Sequence, residues 1–88
     1  MASVNLVLTV QATGGTACWF YIDDQLVPVG TPVPLASGIH NLEWEILGNV
    51  GNTMTLSGSV AGAQVFKRGP YTVTRPNFPS AGVFQFTV

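Results

Sequence analysis

Apolar and polar residues alternate along most of this chain, in short segments separated by glycine, proline and aspartate. In the clearest segment, residues 40–46, the apolar side chains share one parity and the two glutamates share the other. Alternation with a period of two is typical of a strand that buries one face. No segment repeats apolar residues at the i, i+3, i+4, i+7 spacing of a helix over three turns.

The alternation predicts seven or eight short strands with turn residues about every 8–12 positions. They cover residues 4–12, 17–22, 25–29, 40–46, 53–60, 63–67, 71–75 and 83–88. We expect an immunoglobulin-like antiparallel β-sandwich that forms one domain over residues 1–88. A small closed β-barrel is the second choice. Because proline lacks the amide donor of a strand ladder, Pro28, Pro32 and Pro34 predict a sheet edge or an extended connection.

The large apolar residues that share the inward parity form the predicted core. They are Leu6, Leu8, Phe20, Ile22, Leu42, Trp44, Leu56, Phe84 and Phe86. Cys18 lies in the apolar run 17–22 and is expected to be a buried structural thiol. It is the single cysteine, so the chain cannot form an intrachain disulfide.

The composition predicts self-association. The chain is 47% hydrophobic and only 8% charged, with a mean hydropathy of +0.38, whereas ordinary soluble domains are about 25% charged. A domain of this size buries only roughly 60–65% of its unfolded surface. We therefore expect a homo-oligomer, with a two-fold dimer first and a larger ring as the alternative. The expected contact is the face of Trp19 and Tyr21 or the terminal strand 83–88.

Charge and hydropathy exclude several classes of partner. The net charge of −1 does not favour nucleic acid, and no apolar run approaches the roughly 20 residues of a membrane-spanning helix. The chain shows no signal-peptide pattern. The compartment stays open: extracellular or cell envelope if a leader has been removed, and cytoplasmic otherwise.

Three segments resemble the PEGA repeat, a small β-sandwich unit of bacterial envelope proteins. They are Phe20-Tyr21-Ile22-Asp23-Asp24-Gln25-Leu26-Val27, Gly30-Thr31-Pro32-Val33-Pro34-Leu35 and Ser37-Gly38-Ile39-His40-Asn41-Leu42. Asp24 stands where the family usually has glycine, and the last third of the chain has no counterpart in the repeat. The resemblance implies a sandwich fold, an envelope or adhesin-like setting and no general enzymatic role.

Three other segments are similar, in their order, to the loops of chagasin-type cysteine-protease inhibitors. They are Gly14-Gly15-Thr16, Gly48-Asn49-Val50-Gly51 and Arg75-Pro76-Asn77-Phe78. Those inhibitors are immunoglobulin-like sandwiches that present three loops at one end. Here the first loop lacks the family's Asn-Pro-Thr-Thr-Gly, and the third lacks an aromatic residue directly after the proline. The likeness implies Arg75, Asn77 and Phe78 as candidate binding residues.

Candidate chemistry is sparse. His40 has no neighbouring nucleophile motif and is expected to be structural. Glu43 and Glu45 alternate with apolar residues, which indicates a solvated face rather than a catalytic carboxylate pair. The Asp23-Asp24 pair is interpreted as a hairpin turn, with a calcium site completed by loop asparagines as the alternative. We expect no catalytic residues, no metal site and no cofactor.

Trp19 and Tyr21 are the strongest candidate binding residues. If Cys18 and the other residues of its parity face the core, these two aromatics point outward together. Exposed paired aromatics mark a protein interface or a platform for stacking sugars, and the alternative is that the fold covers both. The sequence therefore predicts a non-enzymatic binding or assembly module with a protein or carbohydrate ligand. A small protease inhibitor acting through its end loops is the second prediction.

Overall fold

The computed structural model describes residues 3–88, which form eight strands and no helix. The strands are β1 (Ser3–Ala12), β2 (Ala17–Ile22), β3 (Gln25–Val27), β4 (Val33–Ala36), β5 (Ile39–Leu47), β6 (Thr53–Val60), β7 (Ala63–Thr72) and β8 (Ser80–Thr87). Nothing among these residues is a helix long and apolar enough to cross a membrane.

The strands form two four-stranded antiparallel sheets that enclose one core. The first sheet has the order β4-β1-β6-β7 and the second has the order β3-β2-β5-β8. This confirms the predicted antiparallel sandwich. In immunoglobulin domains the first two strands share a sheet, whereas β1 and β2 lie in different sheets here. The likeness to that fold therefore concerns the two-sheet architecture and not the strand order.

The core agrees closely with the predicted set. Eight of the nine predicted residues are buried and belong to one cluster, which also contains Ile46, Met54, Phe66 and Val73. Phe84 is the exception, because it is only partly buried while it packs against this cluster. Its strand, β8, has a neighbour on one side only, so the inward face of that strand is covered less completely than the faces of β2 and β5.

The prediction of two separate strands at 63–67 and 71–75 was wrong. A single strand, β7, runs through Arg68-Gly69-Pro70, and the Gly69–Pro70 peptide bond is cis. Its pairing with β6 shifts register twice, each time with extra residues on the β7 side. Such bulges let a strand continue past residues that cannot join the ladder, and an edge strand tolerates a proline.

Turn chemistry sets the edge of the second sheet. Asp23 and Asp24 have φ angles of +49° and +69°, which match the two-residue type I′ turn of a tight hairpin. The predicted return strand 25–29 is shorter than expected, because β3 ends at Val27 and proline follows. Pro34 lies in β4, an edge strand of the first sheet, as the prolines of this region predicted.

Candidate functional site

The outer face of the second sheet carries the aromatic pair that the sequence singled out. Trp19 and Tyr21 alternate with the inward-facing residues of β2, and Trp19 keeps 37% of its surface exposed. The predicted outward parity of the pair is confirmed, although Tyr21 is half-buried.

Strand pairing surrounds this pair with residues from three other strands. Tyr21 lies opposite Leu26 of β3 and Glu43 of β5, and Glu43 lies opposite Val83 of β8. Leu26 and Val83 are 65% and 67% exposed. Directly opposed side chains in antiparallel sheets have Cβ atoms about 4.5–5.5 Å apart. The four residues therefore form one continuous row across the sheet.

A second, parallel row lies about 7 Å further along the strands. It contains Trp19, Glu45 and Ala81, which are paired across β2, β5 and β8. We call the two rows together the outer face: Leu26, Tyr21, Glu43, Val83, Trp19, Glu45 and Ala81. Most of its side chains are apolar, and its two carboxylates lie in the middle, on β5.

Charge is segregated between the two sheets. The four acidic residues are Glu43 and Glu45 on the outer face and Asp23 and Asp24 in the adjoining β2–β3 turn. The three basic residues lie on β7 or in the segment after it, and no lysine or arginine lies on the outer face. The outer face is thus an apolar surface with a negative centre, and neither of its glutamates forms an ion pair within residues 3–88.

A shallow groove of about 380 Å³ opens beside Trp19. It exists because β3 pairs only with Phe20–Ile22, so the first half of β2 has no neighbour on that side. The chain then turns away at Pro28, and the Gly30 amide donates a hydrogen bond to the Leu8 carbonyl of the first sheet at 2.9 Å. The residues that line the groove are mainly apolar: Cys18, Trp19, Phe20, Leu26, Val27, Pro28 and Val29.

The three loops compared with chagasin-type inhibitors meet at one end of the sandwich. The Thr53 amide donates to the Thr13 hydroxyl at 2.9 Å, and the Asn52 side-chain amide donates to the Gly14 carbonyl at 3.4 Å. The Gly51 amide donates to the Val73 carbonyl at 2.9 Å, which ties the third loop to the second.

The loop candidates Arg75, Asn77 and Phe78 are all exposed, and Phe78 retains 62% of its accessible surface. Asn77 has a φ of +64°, a left-handed conformation that asparagine tolerates better than most residues. A depression of about 310 Å³ lined by Arg75, Ser80 and Ala81, among others, lies at the base of this loop. Because Ala81 also lies opposite Glu45, Arg75 is the loop candidate that adjoins the outer face.

The residues considered for chemistry are engaged elsewhere. The Cys18 thiol donates to the Thr16 carbonyl at 3.7 Å, and partial burial raises its pKa. Asp23 was a candidate calcium ligand, but its carboxylate accepts hydrogen bonds from His40 and from the Asn41 amide. Within residues 3–88, no group of three or more histidine, cysteine, aspartate or glutamate side chains could hold a metal ion.

His40 is held at both ring nitrogens. Its Nδ1 lies 2.5 Å from the Asp23 carboxylate and its Nε2 lies 2.7 Å from the Ala36 carbonyl. Both partners are acceptors, so the geometry fits a doubly protonated imidazolium. The hydrogen bond to Asp23 raises the pKa of His40, and the Ala36 carbonyl adds to this effect. The Asn41 amide and then His40 lower the pKa of Asp23.

This pair predicts a pH-dependent contribution to stability. Because folding raises the pKa of His40, its contribution is complete below about pH 6.5 and is lost as pH rises through the raised value. The lowered pKa of Asp23 means that its contribution is lost only as pH falls below about 4. We expect His40→Gln to lower the melting temperature most between these limits and much less in alkaline solution. Thermal melts across this pH range measure the difference.

Asp24→Asn is the matched control, since it removes the neighbouring carboxylate of the same turn. It should leave the pH dependence of the wild-type protein in place. A difference between His40→Gln and wild type that stays constant from acid to alkaline pH would show that the imidazolium–carboxylate pair does not stabilise the fold.

Comparison with models of known protein families, with curated proteins and with solved structures finds no match to this chain.

Proposed function

We propose that this chain is a non-enzymatic binding module that takes a protein ligand on the outer face of its second sheet. The observation that carries this proposal is the outer face itself, in which Trp19 and Tyr21 lie beside strongly exposed Leu26, and equally exposed Val83 lies beyond Glu43 in the same row. Contiguous exposed apolar surface on a small domain is typical of an interaction site. Tryptophan and tyrosine are enriched among the residues that contribute most to protein interfaces.

Leu26 and Val83 favour a protein over a carbohydrate. A sugar ring stacks on a flat aromatic surface, which branched aliphatic side chains do not provide. These two are among the most exposed apolar residues of the protein, and they lie at opposite ends of the row that contains Tyr21. A protein surface contacts aromatic and aliphatic side chains together, as interface cores commonly do.

The charges define the chemistry of the ligand. Desolvating Glu43 and Glu45 without a partner would be unfavourable. The ligand should therefore bring lysine or arginine to the middle of the outer face and apolar side chains to its margins. Binding through such pairs weakens as salt is added, because exposed charges are screened.

Selection of random peptides displayed on phage against the immobilised protein tests this chemistry. We expect the recovered peptides to combine aromatic or aliphatic residues with lysine or arginine. Trp19→Ser should weaken their binding by roughly 30-fold or more, the loss typical of an interface hot spot. The double change Glu43→Gln, Glu45→Gln should weaken it as well and should reduce its salt dependence. Fluorescence polarisation with labelled peptides measures both effects.

Val65→Ser is a matched control, because Val65 is 38% exposed, almost the same as Trp19, but lies on the first sheet. It should bind the peptides as the wild type does. If Trp19→Ser leaves the affinity for the peptides unchanged, they do not bind at the outer face. Binding on a glycan array that Trp19→Ser abolishes, with no peptide selected, would assign the surface to a carbohydrate instead.

The end loops support a second candidate, an inhibitor of papain-like proteases. The hydrogen bonds that join the three loops at one end favour it, since loop inhibitors need such a fixed arrangement. The double change Arg75→Ala, Phe78→Ala separates the two candidates. It should abolish inhibition of a papain-like protease if the loops act, and it should leave peptide binding intact if the outer face acts.

The cellular setting of this proposal comes from the PEGA resemblance alone. A sandwich of this kind in a bacterial envelope or adhesin-like protein would present its outer face to another protein of that compartment. Labelling the protein in its source cells with a reagent that does not cross membranes tests the setting.

A further inference from the structure

The four edge strands of the sandwich differ in how well they are protected against pairing with another strand. β3 has only three residues, β4 contains Pro34, and β7 contains Pro70 with two register shifts. Short length, proline and bulges are the usual protections of a sheet edge. β8 has none of them: it runs for eight residues and pairs with β5 without a register shift. It also carries no charged side chain.

The register identifies which backbone groups of β8 are free. Gly38 and Val88 exchange two hydrogen bonds, at 2.8 and 3.0 Å. Hydrogen-bonded and non-hydrogen-bonded pairs alternate along an antiparallel ladder, so Phe86, Phe84 and Gly82 bond to β5. The amides and carbonyls of the intervening residues point to the open edge. These residues are Ala81, Val83, Gln85 and Thr87.

We infer that β8 pairs antiparallel with β8 of a second copy of this chain, about a two-fold axis at Phe84. In this register Val83 lies opposite the partner's Gln85, and Ala81 lies opposite the partner's Thr87. All four free residues of each strand are then paired. A shift of one strand by two residues, to the next hydrogen-bonding register, leaves one of the four unpaired.

The side chains near the axis fit this arrangement. The two Phe84 residues would face each other across a non-hydrogen-bonded pair, where Cα atoms are only about 4.5 Å apart. Phe84 is partly buried, contacts Phe66 with ring centroids 5.2 Å apart and lies under the Arg68 guanidinium at 5.0 Å. A second Phe84 would extend this aromatic cluster and cover the side of the ring at the open edge.

Charge argues against the alternative dimer, in which two outer faces pack together. Such packing about a two-fold axis would bring Glu43 and Glu45 of both copies together on faces that carry no lysine or arginine. Pairing through β8 brings no carboxylate to the axis, because the strand itself is uncharged. The charge nearest the axis is the Arg68 guanidinium, which each copy holds over its own Phe84 ring. A second copy also supplies an extended strand of matching length, which a foreign ligand would have to order on binding.

The dimer would form one continuous eight-stranded sheet, with both outer faces on the same side. If the outer face binds a ligand, the dimer is bivalent for it. This bivalency rests on the proposed function. The dimer itself does not depend on that function, since its mass can be measured without any ligand.

Light scattering and hydrogen exchange test the dimer. We expect the wild-type protein to have twice the monomer mass of 9.3 kDa at micromolar concentration. In the dimer the amides of Val83 and Gln85 should be protected from exchange, and dilution to monomer should expose them while the amide of Phe84 stays protected. Val83→Pro removes a free amide that β5 does not use, so it should give a folded monomer.

Val83→Thr is the matched control, because it keeps the amide and should remain a dimer. Gln85→Pro provides a second test at another free amide if Val83→Pro fails to fold. A wild-type mass of 9.3 kDa at every concentration would overturn the inference. So would a dimer that survives both proline variants but is lost in Trp19→Ser. Edge amides protected only when a selected peptide is added would assign β8 to a foreign strand instead.

Discussion

Replacing Trp44 with alanine is expected to lower the free energy of unfolding by about 3–5 kcal/mol, the usual cost of removing a large buried aromatic side chain. Trp44 is only 8% exposed, and its ring stacks on Tyr71 of the opposite sheet with centroids 4.0 Å apart. A domain of this size has a total stability of only about 5–10 kcal/mol. The variant should therefore melt at least roughly 12 °C below wild type. Chemical denaturation followed by circular dichroism measures the loss.

Ile39→Ala is a suitable control for Trp44→Ala, because Ile39 lies on the same strand but is 69% exposed. Its replacement should change stability by about 0.5 kcal/mol or less. If Trp44→Ala melts within a few degrees of wild type, the ring does not contribute to the core as its burial indicates.

The two central strands of the second sheet could be predicted from sequence alone. β5 alternates strictly, whereas β2 is apolar throughout and its inward parity was assigned to Cys18 and Phe20. A strand with neighbours on both sides buries one parity. Leu42, Trp44 and Phe20 are buried as the pattern predicted. Phe84 obeys the same parity but is only partly buried, because alternation predicts which face a residue occupies and does not reveal that its strand is at an edge.

The course of β7 could not be predicted, because local signals were overridden by pairing. Arg68-Gly69-Pro70 has the residue types of a turn. Bulges in the ladder with β6 nevertheless keep the chain extended through it, and the turn falls after Thr72 instead. The cost of leaving residues out of the ladder is small at an edge, where one side of the strand already lacks a partner.

The candidate site also has one part that the sequence predicted and another that it did not. Parity along one strand places Trp19 and Tyr21 on the same face, and the sequence predicted that this face points outward if Cys18, Phe20 and Ile22 face the core. The neighbours Leu26 and Val83 come from other strands. The Asp23-Asp24 hairpin implies that β2 pairs with β3, but no local signal in the sequence indicates that β5 lies between β2 and β8. For that reason the extent of the outer face could not be predicted, although its aromatic centre could.

Trp44 also explains why glycine occupies position 82. Gly82 lies directly opposite Trp44 in the pairing of β5 with β8. A Cβ atom at position 82 would lie 2.6 Å from Cζ2 of the indole, far inside van der Waals contact. An aromatic ring that covers a cross-strand glycine is a known way of compensating for the missing side chain.

Gly82→Ala is therefore expected to destabilise the fold by about 1–3 kcal/mol, the usual cost of overpacking a core. At a strand position with free space, the same change would stabilise by roughly 0.5–1 kcal/mol, because alanine loses less conformational freedom on folding than glycine does. The Trp44 ring has little room to retreat, since Tyr71 stacks on it.

A double-mutant cycle isolates this contact. In a Trp44→Leu background the indole is absent, so Gly82→Ala should become neutral or slightly stabilising. The coupling energy between the two positions should then exceed about 1 kcal/mol, well above the error expected for independent sites. Urea denaturation of the four proteins provides the numbers. An equal cost of Gly82→Ala in both backgrounds would mean that the backbone at position 82, rather than the indole above it, requires the glycine.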